Sequence, residues 1–327
     1  MAKPNHFLVA PDSFKGTLSA REVAEAIGRG VEGPGAAAEL CPAADGGEGT
    51  MDVLVEAMGG ERRTAPVHDP LGRPIEAEYA LVRDGSTAVV EAAAASGLDL
   101  VAEEERDPVA ASSAGTGELI AAAIEAGARR ILIAAGGSAT TDGGRGTVEA
   151  IEAAGGLGRA ELEVLCDTSV PFERAAEVFA PQKGASPEQV EQLTSRLVAL
   201  AGTWPRDPRG RPMTGAAGGL SGGLWAALGA HLVPGAAFVL GVVGFDRRLE
   251  DADAVITGEG RLDSQSIEGK LTGEIARRCR AAEVPLHAIV GQSAIEPDQL
   301  PRLGFASVAE AGTADLIEAA AEQIAAG

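Results

Sequence analysis

Aromatic rings, cysteines and lysines are all scarce in this chain, and each shortage narrows what it can be. Phe, Tyr and Trp make up 3% of the 327 residues, while small aliphatic side chains supply most of a 45% apolar content. A core built from small side chains needs helices and strands in close contact, which favours a layered α/β protein. The three cysteines, Cys41, Cys166 and Cys279, are odd in number, far apart and without CxxC spacing. That excludes a disulfide framework and a zinc site, and it points to a reducing, cytoplasmic compartment. No basic region followed by a long apolar stretch opens the chain, so a secretory leader is not expected. The longest apolar run, Leu224 to Gly244, is broken by His231, Pro234 and four glycines. It reads as a buried helix followed by a strand, not as a membrane span.

Positive charge is short as well. With 48 acidic against 27 basic residues the net charge is -21, which repels nucleic acid and anionic lipid. Neither is expected as a partner. A small anionic ligand would need local cations or aimed backbone N–H groups to overcome this field. The four histidines, His6, His68, His231 and His287, are scattered without metal-ligand spacing and read as structural.

What is present is a repeating texture. His6 to Ala10 reads as a strand, and Ser19 with Glu22 forms a capping box that opens a helix towards Val31. A second strand, Ala37 to Cys41, leads through a glycine-rich loop into a helix ending at Gly59-Gly60. Strands then follow at 61–67, 75–82 and 87–91, with Asp84-Gly85 as a hairpin turn. A helix from Thr116 to Ala126, a buried strand from Arg130 to Ala135, another glycine-rich loop and helix, and a strand at 162–166 come next. Ser186-Pro187 caps a helix to Leu200. The Pro/Arg/Gly-rich stretch 203–223 is a candidate hinge or lid. From Phe238 the alternation resumes, with strands expected near 238–243, 254–257 and 286–290 and helices near 270–282 and 313–326. A chain of this length is expected to form two compact units. Here the ends, 1–60 and 238–327, would build one open, mostly parallel sheet around an inserted second α/β domain, 61–237.

Four loops that follow predicted strands combine glycine with charge: Pro11 to Thr17, Ala44 to Thr50, Gly136 to Gly144 and Thr257 to Ser264. Open α/β sheets bind ligands at the carboxyl ends of their strands, so these loops should converge. Phosphoryl transfer needs this inventory: glycine for close approach of N–H groups to phosphate, carboxylates for Mg²⁺, a cation on the migrating group, and a base for the attacking hydroxyl. Taken singly, each loop is also ordinary turn chemistry. Arginine is the default cation, and only Lys3, Lys15, Lys183 and Lys270 depart from it. Three of these lie beside glycine, where a compact point charge suits a phosphate oxygen. Gly269-Lys270 is not a P-loop, because Ser264 and Leu271 stand where that motif needs Gly and Ser/Thr. The GxGxxG fingerprint of nicotinamide enzymes is missing after the first strand.

Together the loops resemble the glycerate kinase family, in the bacterial form that lacks a P-loop. The likeness runs in order through APDSFKGTLSA (10–20), ADGGEGT (44–50), GTGELI (115–120), GGSATTDGG (136–144), PQKGA (181–185), GAAGGLSGGL (215–224) and ITGEGRLDSQSIEGK (256–270). The resemblance implies a Rossmann-like domain with an inserted α/β domain, the active-site cleft between them, and an ATP- and Mg²⁺-dependent kinase of D-glycerate, with the 2-phosphate favoured as product. It places Asp12, Ser13, Lys15, Asp45, Gly46, Gly47 and Glu48 in the site, with Ser138, Asp142 and Gly143, and with Glu259, Arg261, Asp263 and Lys270. The roles expected are Lys15 and Arg261 on substrate carboxylate or phosphate, Asp45 or Asp142 on the glycerate hydroxyl, and Glu48, Glu259 and Asp263 on Mg²⁺. A homodimer is compatible with it. The chain departs from the family in having Thr141 where Asn is usual, and in a short segment at Leu157 to Ala160. Two other readings stand beside it: a kinase of another small hydroxy or sugar acid, and a catalytically silent binder of glycerate or nucleotide.

Overall fold

The computed structural model describes residues 6–263 and 270–327, and the chain divides into two compact units, Met1–Asp45 with Ala236–Gly327, and Gly46–Gly235. Its strands are β1 (His6–Val9), β2 (Ala37–Leu40), β3 (Gly60–His68), β4 (Pro74–Val82), β5 (Thr87–Glu91), β6 (Arg130–Ala134), β7 (Glu161–Cys166), β8 (His231–Pro234), β9 (Ala254–Leu262), β10 (Leu286–Ser293) and β11 (Ser307–Glu310). The architecture is mixed α/β with mostly parallel pairing.

In the first unit the order is β11-β10-β9-β1-β2 and every pair is parallel. A parallel sheet must be covered on its faces, so its strands are nearly continuously apolar and helices supply the cover. The helix Ala20–Glu32 begins with the predicted capping box: the Ser19 side chain accepts from the Glu22 amide, and the Glu22 side chain accepts from the Ser19 amide. Its Val23, Ile27 and Val31 pack with Phe7, Val9, Ile256 and Ile289, and with Ile317 and Ala321 of the helix Ala314–Ala326. The two helices cross closely: a Cβ on Gly30 would sit 2.1 Å from the Glu318 carbonyl oxygen.

In the second unit the order is β3-β4-β5-β6-β7-β8, antiparallel across β3-β4-β5 and parallel from β5 to β8. The β4–β5 turn lies where Asp84-Gly85 predicted it, with Arg83, Asp84 and Gly85 all at positive φ. The helix Thr50–Met58, grouped with the chain ends by the sequence pattern, packs on β4 and β5, and the unit boundary falls inside the 44–50 motif, between Asp45 and Gly46.

One expectation changes, and one strand was not foreseen. Phe238 to Val242, nearly all of the segment 238–243 read as a strand, belongs to a helix, Gly235–Val242; a short apolar run has no period that separates strand from buried helix. β11 has four residues, none fully buried, and carried no strand signal. In the 203–223 stretch Thr214 Oγ1 accepts from the Phe172 amide and donates to the Arg211 carbonyl, the Gly210 amide donates to Glu173, and the guanidinium groups of Arg206 and Arg211 each lie over the Trp225 ring. The three cysteines are buried and free. Among the described residues no helix is long and apolar enough to cross a membrane.

Candidate active site

Beyond their formal ends, strands β1, β2 and β9 run on side by side. The Ala10 amide donates to Ile256 O, Asp12 N to Gly258 O and Ala43 N to Pro11 O, while Thr257 Oγ1 donates to Ala10 O. This extended ladder carries Asp12, Asp45 and Glu259 to the carboxyl ends of adjacent strands in the first unit, where a doubly wound sheet presents its ligand site. A pocket of about 290 Å³ results, lined by Asp12, Ser13, Lys15, Asp45, Glu259, Gly260, Arg261, Lys270, Leu271 and Thr272.

Its electrostatics are unusual for a surface depression. Asp12, Asp45 and Glu259 are 7%, 3% and 9% exposed. The Asp12 carboxyl is held well above the ordinary carboxylate range, first by burial and then by the Asp45 charge; Lys15 and the Ser13 amide act the other way, and Glu259 raises it further. Asp12 Oδ1 accepts from the Ser13 amide at 2.7 Å. On the cationic side, Lys15, Arg261 and Lys270 share the pocket, and Arg261 stands 3.6 Å from Asp263. Lys270 is the N-cap of the helix Leu271–Ala282, so the pocket is bordered by that helix's first turn, whose amides have no partner within the helix. Carboxylates able to accept a proton and cations able to hold an oxyanion meet within one small volume.

The second unit builds a separate cluster from its own glycine-rich loops. The loop after β6 and the loop leading into the helix Thr50–Met58 touch backbone to backbone: a Cβ on Gly136 would lie 2.5 Å from Gly47 Cα. Glu91, at the end of β5, accepts from the Met51 amide at 2.8 Å and holds the start of that helix. Burial, opposed by that amide and reinforced by Asp52 and Glu48, pushes its carboxyl up to about 7. Glu48 itself is exposed.

Ser138 Oγ accepts from the Lys183 ammonium, which also donates to Thr140 O. Asp142 is fully engaged within the unit: Oδ2 accepts from Ser113 N, Ser113 Oγ and Gly146 N, and Oδ1 from Gly144 N. Gly143 is enclosed by Phe172, Leu197 and Leu200, and donates its amide to Gly218 O. The motif 215–224 serves this same packing, since a Cβ on Gly218 would lie 2.0 Å from Thr140 O. Thr141, the departure noted in the sequence, is buried with its hydroxyl unpartnered.

A model of the glycerate kinase family matches residues 7–156 and 152–325, nearly the whole length. The chain belongs to the glycerate kinase family. A glycerate kinase of Bacillus subtilis is 42% identical over 324 residues, covering 87% of this chain and 84% of that protein. A glycerate 2-kinase of Escherichia coli is 40% identical over 321 residues, covering 87% and 84%. The solved structure of a Salmonella typhimurium LT2 protein assigned as glycerate kinase 2 superposes with a TM-score of 0.80 at 36% identity, covering 99% of this chain and 98% of that one. As a member of the glycerate kinase family this protein is an enzyme, and it acts as a kinase.

In this glycerate kinase family member the expected residues fall into two groups. Asp12, Ser13, Lys15, Asp45, Glu259, Arg261 and Lys270 share the first unit's pocket, with Asp263 beside Arg261. Gly46, Gly47, Glu48, Ser138, Asp142 and Gly143 lie on the second unit's loops. Residues 264–269 of the last motif lie outside the described residues. Among the residues in the site regions, two were not singled out in the sequence and a third, Lys183, was singled out only as a rare lysine beside glycine. Thr272 sits in the first turn beside Lys270, Glu91 closes β5, and Lys183 underlies Ser138. For Lys183 a signal existed in the rarity of lysine; for Thr272 and Glu91 none did.

Proposed function

We propose that this enzyme transfers the terminal phosphoryl group of ATP to D-glycerate, with the 2-hydroxyl as acceptor. The observation that carries the reading is the first unit's pocket, where three nearly buried carboxylates meet Lys15, Lys270 and a helix start within about 290 Å³. Lys15 and Arg261 hold the oxyanions of substrate and nucleotide, and Lys270 with the first-turn amides adds the electrostatic support that phosphoryl transfer draws on. Asp142 commits its oxygens to four donors on the second unit's own backbone and serine, whereas Asp45 lines the first unit's pocket, and we assign the role of base to Asp45. Asp45 takes the proton of the acceptor hydroxyl as that oxygen bonds to phosphorus, the bond from phosphorus to the bridging oxygen breaks, and ADP leaves.

The donor chemistry fits Mg²⁺. The carboxyl groups are hard oxygen ligands, and an ion bound largely by substrate phosphates and water needs only one or two of them. Glu259 and Asp263 would hold it, and the ion would neutralise phosphate charge during transfer.

The test is an ADP-release assay with ATP, Mg²⁺ and D-glycerate, the product identified by phosphorus NMR. Asp45→Asn is expected to lower turnover about 100-fold or more. Near-normal turnover in that variant would remove Asp45 as the base. Turnover with other hydroxy acids and none with D-glycerate would move the reading to a different small acid.

A further inference from the structure

Lys183 does not belong where it is unless something anionic joins it. It lies in the PQKGA segment of the second unit, 3% exposed. Its ammonium donates to Ser138 Oγ at 3.0 Å and to Thr140 O at 2.6 Å, both neutral oxygens. Among the described residues no carboxylate comes within ion-pair distance; Asp142 and Asp167 act on it only from further off. A buried cation with neutral partners is costly, and a side chain needed only to brace a loop would be better uncharged. The hydrogen-bond direction adds a second point. Once Lys183 is charged it has no lone pair to offer back, so Ser138 Oγ, which accepts from it, must then send its own proton elsewhere. Ser138 is 6% exposed, on a glycine-rich loop at the carboxyl end of β6.

We propose that Lys183 is the positioning residue of an oxyanion site at Ser138, fixing the serine as a donor to the ligand and gaining its full charge when the ligand's anion arrives. The ligand is a carboxylate or phosphate oxyanion, that is, the hydroxy acid or the nucleotide, and the inference rests on the kinase reading given above. Burial agrees with the geometry: it pushes the Lys183 ammonium down to about 7, with Asp142 and then Asp167 opposing it. The ligand-free residue is thus largely neutral at pH 8, and an arriving anion restores the proton.

The experiment is calorimetric titration of the whole enzyme at pH 8 in buffers of different ionisation enthalpy, with D-glycerate in one arm and ATP with Mg²⁺ in the other. Wild type is expected to take up most of one proton in one arm, which identifies the source of the oxyanion. Lys183→Arg, always charged, should bind that ligand without uptake. Lys183→Met should bind it about tenfold or more weakly, with affinity for the other ligand and thermal stability near wild type. Binding without proton uptake in both wild-type arms overturns the inference alone, as does uptake that persists in Lys183→Met. If the methionine variant does not fold, the wild-type and arginine titrations decide. A wild type that binds neither ligand overturns the kinase reading and this inference with it.

Discussion

Asp142 is the residue at which sequence motif and geometry pull apart, and Asp142→Asn separates them. In the wild type Oδ2 accepts three hydrogen bonds, from Ser113 N at 2.9 Å, Ser113 Oγ at 2.8 Å and Gly146 N at 3.1 Å, and Oδ1 accepts one from Gly144 N at 3.0 Å. A carboxamide has one acceptor oxygen. In its better orientation it keeps the three bonds and turns its NH₂ against the Gly144 amide, one donor facing another. Losing that bond costs about 1–3 kcal/mol, and the remaining three fall from charge-assisted to neutral strength, each a loss of up to about 1 kcal/mol. The carboxyl is only partly buried, which discounts the sum to about 2–3 kcal/mol. For a unit of this size that is a fall in melting temperature of roughly 5–10 °C, read by circular dichroism or calorimetry. Turnover measured well below the transition should fall much less than for Asp45→Asn. A variant as stable as wild type but inactive would refute the reasoning and return Asp142 to the position of base.

Two further outcomes are expected. In Gly30→Ala the new methyl meets the Glu318 carbonyl oxygen at 2.1 Å, so the helices Ala20–Glu32 and Ala314–Ala326 must move apart; a loss of about 1–3 kcal/mol in urea unfolding is expected, and no loss would mean the helices do not cross as described. Glu91 titrates at about 7 against an ordinary 4.5. The folded chain therefore holds a proton that the unfolded chain releases, and Glu91's contribution makes stability fall as pH rises from about 4.5 to 7 and flatten above. Glu91→Gln should remove that part of the slope, seen as melting temperature against pH in parallel with wild type; an unchanged slope would show that Glu91 does not titrate there.

Much of the fold was legible because it rests on local chemistry. The Ser19–Glu22 capping box, the Asp84-Gly85 turn and the parallel-sheet runs at β1, β6 and β9 are short-range signals, and each appears where those signals placed it. Phe238 to Val243 failed because an all-apolar segment has no face to reveal its period. The site was legible as a set of loops and not as a set of roles. Asp12, Lys15, Asp45 and Glu259 come together because strands β1, β2 and β9 share one ladder, while Asp142, identical in type and equally glycine-flanked, is consumed by the backbone around it.

By itself the sequence determined the α/β class, the family and the loops that carry charge, since these depend on spacing and residue type along the chain. Only the tertiary structure decided which carboxylates crowd each other and which are satisfied, that the glycines of 215–224 serve backbone packing against Thr140, and that Lys183 is buried with no carboxylate at ion-pair distance among the described residues. Burial and hydrogen-bond saturation belong to neighbours distant in sequence, and no local pattern records them.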